Sequence, residues 1–137
     1  MLGPVCVVIA EDNFVLRRVV VDYLATFGIV SIEAGTEAEA WSALVTRQVD
    51  VLVLDMVLSN PRLVLPLLQR IQKEPNMRGI PVIITTAFKI DSLRSSEGGD
   101  CLTDYSILQK PYDLCQLRRT IVQASDKHRK PVTPYVS

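Results

Sequence analysis

The chain has few of the residues that bind soft metals or staple a fold: its 137 positions hold one histidine, His128, and three cysteines, Cys6, Cys101 and Cys115. An odd number of widely spaced cysteines argues against a closed disulfide framework, and none has zinc-ligand spacing. A reducing cytoplasm is the expected setting. Net charge is missing too: fifteen basic residues face fifteen acidic ones, so no general attraction to nucleic acid or to an anionic membrane is expected. No apolar run is long enough to cross a bilayer. The opening segment lacks a basic start and runs straight into Glu11-Asp12, so it reads as a strand and not as a signal peptide. His128 falls in a polar terminal stretch, where it is expected to be solvated.

What the chain does have is apolar residues, 48% of the total, enough for one continuous core in a chain of single-domain length. They gather in short unbroken runs. Val51-Leu52-Val53-Leu54 is such a run, and it reads as a strand buried on both faces, the usual state of strands in a parallel sheet. It ends in Asp55. An ionised carboxylate inside the sheet would be heavily desolvated, so the strand is expected to stop there and deliver Asp55 to the carboxyl edge, where open α/β sheets bind ligands.

The other segments alternate in the same style. Residues 5–10 form a first apolar run and end in Glu11-Asp12, after which Asn13 can cap a helix over residues 14–27. That helix carries Val15, Leu16, Val19, Val20, Leu24 and Phe27 at helical spacing, with Gly28 as its stop. Residues 29–33 suit a second strand. Thr36-Glu37-Ala38-Glu39 is a capping box for a helix ending near Gln48. A third helix is expected over residues 63–72, with Pro61 near its first turn and Pro66 as a kink or an alternative start. Val82-Ile83-Ile84-Thr85-Thr86 is a fourth strand, ending in hydroxyls. Residues 88–105 hold a weak helical pattern around residues 92–96 and a Gly98-Gly99 break. Residues 106–109 form a short fifth strand leading to Lys110-Pro111, and Asp113 caps a last helix with Leu114, Leu117, Ile121 and Ala124 on one face. Arg118 and Arg119 are expected on its wet side. Residues 126–137 read as a tail or linker, leaving residues 1–125 as the folded domain.

Five strands alternating with helices predict a doubly wound α/β fold with a five-stranded parallel sheet, most economically in the flavodoxin-like order 2-1-3-4-5. In that order the first and third strands are neighbours, so Glu11, Asp12 and Asp55 converge in one crevice. Three carboxylates so close repel one another, and a divalent cation relieves the conflict. All-oxygen ligands suit magnesium. The fourth and fifth strands bring the Thr86 hydroxyl and the Lys110 ammonium to the same edge. Together these groups make a cradle for a transferring phosphoryl group, with Asp55 as the nucleophile that becomes an aspartyl phosphate.

The pieces Val7-Val8-Ile9-Ala10-Glu11-Asp12, Val51-Leu52-Val53-Leu54-Asp55-Met56, Pro81-Val82-Ile83-Ile84-Thr85-Thr86-Ala87 and Lys110-Pro111-Tyr112, in this order, resemble the response-regulator receiver domain of two-component signalling, as in the chemotaxis response regulator. The resemblance spans residues 5–125. It implies that Glu11 and Asp12 hold magnesium, that Asp55 is both phosphoacceptor and metal ligand, and that the main-chain carbonyl of Val57 is a further ligand. It further implies that Thr86 is the switch hydroxyl, that Lys110 pairs with the phosphoryl group, and that the bond before Pro111 is cis. The implied partners are a histidine kinase or histidine phosphotransfer protein as donor and a downstream effector protein or domain as reader. The surface read is expected to be that of the fourth helix, the fifth strand and the fifth, last helix. Direct nucleic-acid or membrane binding is not expected, and a homodimer is left open.

The chain departs from the family pattern in two places. Ser59 stands where members usually have proline, and Ile107 where the switch usually has an aromatic residue. These departures keep alive an alternative, a degenerate receiver that binds proteins without phosphorylation. A phosphatase acting through an aspartyl phosphate is a rival enzyme reading, but such enzymes place a second acid where this chain has Val57. Val57 and Phe88, both apolar, are expected to slow hydrolysis of the aspartyl phosphate by offering water no polar handhold. A V57N/F88E double variant should therefore lose phosphate faster.

Overall fold

A computed structural model of the chain describes residues 3–56, 58, 61–77, 79–87 and 105–129, with the side chains of 61–65 outside the description. The expected helix around residues 92–96, the Gly98-Gly99 break and the positions Val57, Ser59 and Phe88 lie outside the described residues. Its strands are β1 (Cys6–Ala10), β2 (Val30–Ala34), β3 (Val51–Asp55), β4 (Val82–Thr86) and β5 (Ser106–Gln109). Helices α1 (Phe14–Ala25), α2 (Glu37–Thr46), α3 (Pro61–Lys73) and α4 (Leu114–Arg129) complete the described elements. The strands pair in parallel in the order β2-β1-β3-β4-β5, as the alternation predicts.

Unbroken apolar runs are needed because the sheet is covered on both faces. Strand side chains point alternately to opposite sides, so Val8, Ala10, Leu52, Leu54 and Ile84 enter one core with residues of α2 and α3 such as Leu44, Leu67 and Ile71. Val7, Ile9, Val51, Val53 and Ile83 enter the other, with Val20 and Leu24 of α1 and Leu117 and Ile121 of α4. A fully buried Leu or Ile contributes about 2 kcal/mol, whereas an exposed ion pair gives at most about 1 kcal/mol. The frame that positions the sheet edge is therefore set by apolar packing.

The helix ends follow the capping chemistry. Asn13 Oδ1 accepts from the Leu16 N–H at 3.1 Å, and Thr36 Oγ1 from that of Glu39 at 3.1 Å. Glu39 Oε1 reaches back to the N–H of Gly35, at 2.7 Å, one residue before the cap. Gly28, with φ 76°, turns the chain after α1 in a conformation that disfavours a side chain. Asp113 Oδ1 accepts from the Cys115 N–H at 2.7 Å and starts α4. Pro61 opens α3, where its missing N–H costs nothing, and the helix continues through Pro66.

The structure differs from the sequence expectations in three ways. The first helix ends at Ala25, short of the expected residue 27, and its apolar stripe is wider than the sheet can cover, so Val20 and Leu24 are buried while Val15 and Val19, and Phe27 beyond the helix, stay exposed at 70%, 47% and 50%. The last helix runs to Arg129, so the expected boundary after residue 125 falls inside it. Polar contacts hold that final turn: Arg129 Nε lies 3.3 Å from Asp50 Oδ1, and its Nη2 donates to the Gly3 carbonyl at 2.7 Å. Third, His128 is exposed, as expected, but also engaged, its Nδ1 lying 3.1 Å from the Gly79 carbonyl oxygen. Residues 130–137 lie outside the described residues.

Candidate functional site

Parallel pairing brings the ends of four strands to one edge. Ala10 lies opposite Leu54, Asp55 opposite Thr85, and Thr86 opposite Gln109. Glu11 and Asp12 follow directly on β1, and Lys110 on β5, so residues separated by up to 99 positions meet. Lys110 Nζ sits 2.7 Å from Glu11 Oε1 and 3.1 Å from Asp55 Oδ2, bridging the two buried acids. Asp12 is exposed at the mouth. One carboxylate oxygen from each of Glu11, Asp12 and Asp55 lies within 4.8 Å of the other two.

The local backbone fixes this arrangement. The Glu11 N–H donates to the Ala34 carbonyl at 2.9 Å, and the Asn13 N–H to Glu11 Oε2 at 3.1 Å. The Lys110 N–H donates to the Thr86 carbonyl at 2.5 Å, tying β5 to the end of β4, and the Lys110–Pro111 bond is cis, as the resemblance implies. Thr86 itself is fully buried at the end of β4. Val57, whose carbonyl is the fourth expected metal ligand, lies outside the described residues. Ile107 packs as a partly buried side chain against the core under α2 and α3, and the Tyr105 hydroxyl accepts from Gln72 Nε2 at 2.6 Å.

The electrostatics reflect crowded like charges. Burial, and then the Asp55 carboxyl beside it, push Glu11 up to about 7, against the opposing pull of Lys110. Burial works against the charge on Lys110, but its hydrogen bond to Glu11 and the charges of Asp55 and Glu11 outweigh it and raise its pKa. Tyr112, two positions after Lys110, is raised by burial. Hard oxygen donors converging around excess negative charge fit a divalent cation such as magnesium, which Glu11, Asp12 and Asp55 would hold.

Two arginines at this edge do different jobs that the sequence alone does not separate. Arg17 Nη1 donates to the Glu11 carbonyl at 2.7 Å while its Nε meets Glu33 Oε1 at 3.0 Å. Arg18 reaches the other Glu33 oxygen at 2.6 Å and Asp22 at 3.1 Å, out in solvent. Only the position of Arg17 one helical turn after Asn13 distinguishes it in the sequence. Elsewhere, a cavity of about 730 Å³ lies at the opposite edge of the sheet, lined by Cys6, Arg47, Asp50 and His128 among others. It is remote from the acids, and a cation with a phosphoryl group needs a polar edge more than an enclosed volume.

A family model described as response regulator receiver domain matches residues 7–122. Solved structures share the fold at low identity. A sensor protein from Polaromonas sp. JS666 aligns with a TM-score of 0.77 at 19% identity, over 90% of this chain and 98% of its own. A response regulator receiver protein from Sinorhizobium medicae WSM419 gives 0.76 at 18%, over 94% and 100%. The receiver domain of a Francisella response regulator gives 0.76 at 22%, over 90% and 98%. Among curated proteins none matches the chain. No helix among the described residues is long and apolar enough to cross a membrane.

Proposed function

The chain belongs to the response regulator receiver domain family, and is thus a signalling domain of two-component systems; from that premise we propose that Asp55 accepts a phosphoryl group from phosphohistidine. In this reading an Asp55 carboxylate oxygen attacks phosphorus in line, the phosphorus–nitrogen bond breaks, and the donor imidazole leaves with that electron pair. The observation that carries it is the bridge from Lys110 Nζ to Glu11 and Asp55 at 2.7 and 3.1 Å, within a cluster of three carboxylates. Bound magnesium supplies charge neutralisation for the equatorial phosphoryl oxygens. Glu11, Asp12 and Asp55 would hold the cation, with the Val57 carbonyl as the further ligand that the family resemblance implies. Lys110 swings from the acids to a phosphoryl oxygen, and the Thr86 hydroxyl turns to another.

Drawing Thr86 and Lys110 toward the phosphoryl group alters the ends of β4 and β5, and so biases the surface of β5 and α4. An effector protein or domain reads that surface, and a histidine kinase or histidine phosphotransfer protein is the donor. A cytoplasmic setting, expected from the odd cysteine count, belongs to this reading. Labelling with acetyl phosphate tests the reading. Covalent phosphate that hydroxylamine and alkali release, as they do from an aspartyl phosphate, should form with magnesium, and none in its absence or in Asp55→Asn. Magnesium-independent labelling, or no labelling at all, would favour phosphorylation-independent protein binding.

A further inference from the structure

We infer that Arg17 is a positioning residue for the acid pair, holding the backbone of Glu11 so that Glu11 and Asp12 present their carboxylates to a divalent cation; this rests on the metal reading of the site. Glu11 is held at both backbone groups. Its N–H donates to Ala34 at 2.9 Å, and its carbonyl accepts from Arg17 Nη1 at 2.7 Å. The Arg17 side chain is only 14% exposed and is braced on its far side by Glu33, at 3.0 Å. Its own N–H donates to the Asn13 carbonyl at 2.9 Å, so the turn from Glu11 to Asn13 is closed from above and below by one residue. Room for the guanidinium comes from Gly35, where a Cβ would approach Nη1 to 3.1 Å. One side chain thus joins the β1–α1 turn, which carries the acids, to the β2–α2 turn.

A bare positive charge beside a cation site should weaken metal binding, so charge and positioning predict opposite signs. Glu33 neutralises Arg17, which leaves the directional hydrogen bond to Glu11 as its main effect on the site. Groups that orient metal ligands without touching the metal typically govern affinity by tenfold or more.

The test is calorimetric titration of magnesium chloride into wild type, Arg17→Met, Arg17→Lys and Arg18→Met, with amide hydrogen exchange on the metal-free proteins. R17M should weaken magnesium about tenfold, and R17K, which keeps the charge but cannot reach both Glu11 and Glu33, about threefold. R18M loses only the outer bridges and should stay within about twofold of wild type. In metal-free R17M the Glu11 amide should exchange about tenfold faster while Val8 is unchanged, a local effect that global destabilisation would not give. An R17M affinity equal to or tighter than wild type, or an R17K affinity equal to wild type, overturns the inference. Should R17M not fold, R17K decides it. If wild type takes up no magnesium, the metal reading fails by itself and the exchange rates of the Glu11 amide still decide whether Arg17 holds that turn.

Discussion

Lys110 and Glu11 stand 99 residues apart in sequence and 2.7 Å apart at the sheet edge, Nζ to Oε1. This lysine is the internal counter-ion of an acid cluster, and on the proposed reading it would have to release one carboxylate oxygen of each partner to admit a cation. Lysine and metal would then compete. Lys110→Ala should bind magnesium more tightly, by roughly tenfold, and be labelled by acetyl phosphate much more slowly. Calorimetry and labelling on the same preparation check both signs. A variant with weaker magnesium binding would show that Lys110 organises the acids and does not compete for them.

The pH dependence of stability follows from Glu11. Its carboxyl moves from 4.5 to about 7 on folding, so the folded state holds its proton more tightly than the unfolded chain does. That contribution is complete below about 4.5 and is lost as pH rises through about 7. Urea denaturation of the metal-free protein should show a decline on the order of 2 kcal/mol across this window. Glu11→Gln should flatten the profile, and saturating magnesium should restore stability at the alkaline end.

Asp55→Asn should stabilise the metal-free protein by about 1 kcal/mol while abolishing phosphorylation. The buried acids at Glu11 and Asp55 repel each other, and an amide removes one charge yet still accepts from Lys110. Thermal melts of wild type and variant without metal decide the sign. A lower melting temperature would mean that the ion pair with Lys110 outweighs the repulsion.

At the other end of the sheet, Asp50 receives three tethers: the Cys6 N–H at 2.8 Å on Oδ2, Arg129 at 3.3 Å on Oδ1, and a backbone bond from its own N–H to the Cys6 carbonyl at 2.8 Å. Asp50→Ala leaves the Cys6 N–H and the Arg129 guanidinium without their carboxylate. It should cost about 2 kcal/mol in urea denaturation and leave magnesium affinity unchanged.

The sheet and the acid cluster were legible because both rest on strong local signals. Runs such as Val51 to Leu54 tolerate only a doubly covered strand, and an acid or lysine directly after such a run has nowhere to go but the edge. The orders of the strands and the meeting of Glu11, Asp12, Asp55 and Lys110 then follow from parallel topology. Less legible was anything held by a single polar contact. The final turn of α4 carries no apolar period, so its dependence on Asp50, Gly3 and Gly79 could not be read from residues 126–129 themselves. Arg17 and Arg18 are adjacent and chemically identical, and only three-dimensional proximity to the Glu11 carbonyl sets one apart. On α1, periodicity identified the helix but overstated its burial, because Val15 and Val19 extend the apolar arc past the sheet.

The clamp on His128 and Arg129 also sets a geometric condition on signalling. Gly3, Asp50 and Gly79 all precede strands, so α4 is pinned to the rim farthest from Asp55. Five-residue strands at about 3.3 Å per residue put roughly 17 Å between the two rims. A message that began at the aspartate and was delivered through the chain after Arg129 would have to travel the whole depth of the molecule, whereas one read from the flank of β5 and α4 would have a far shorter path.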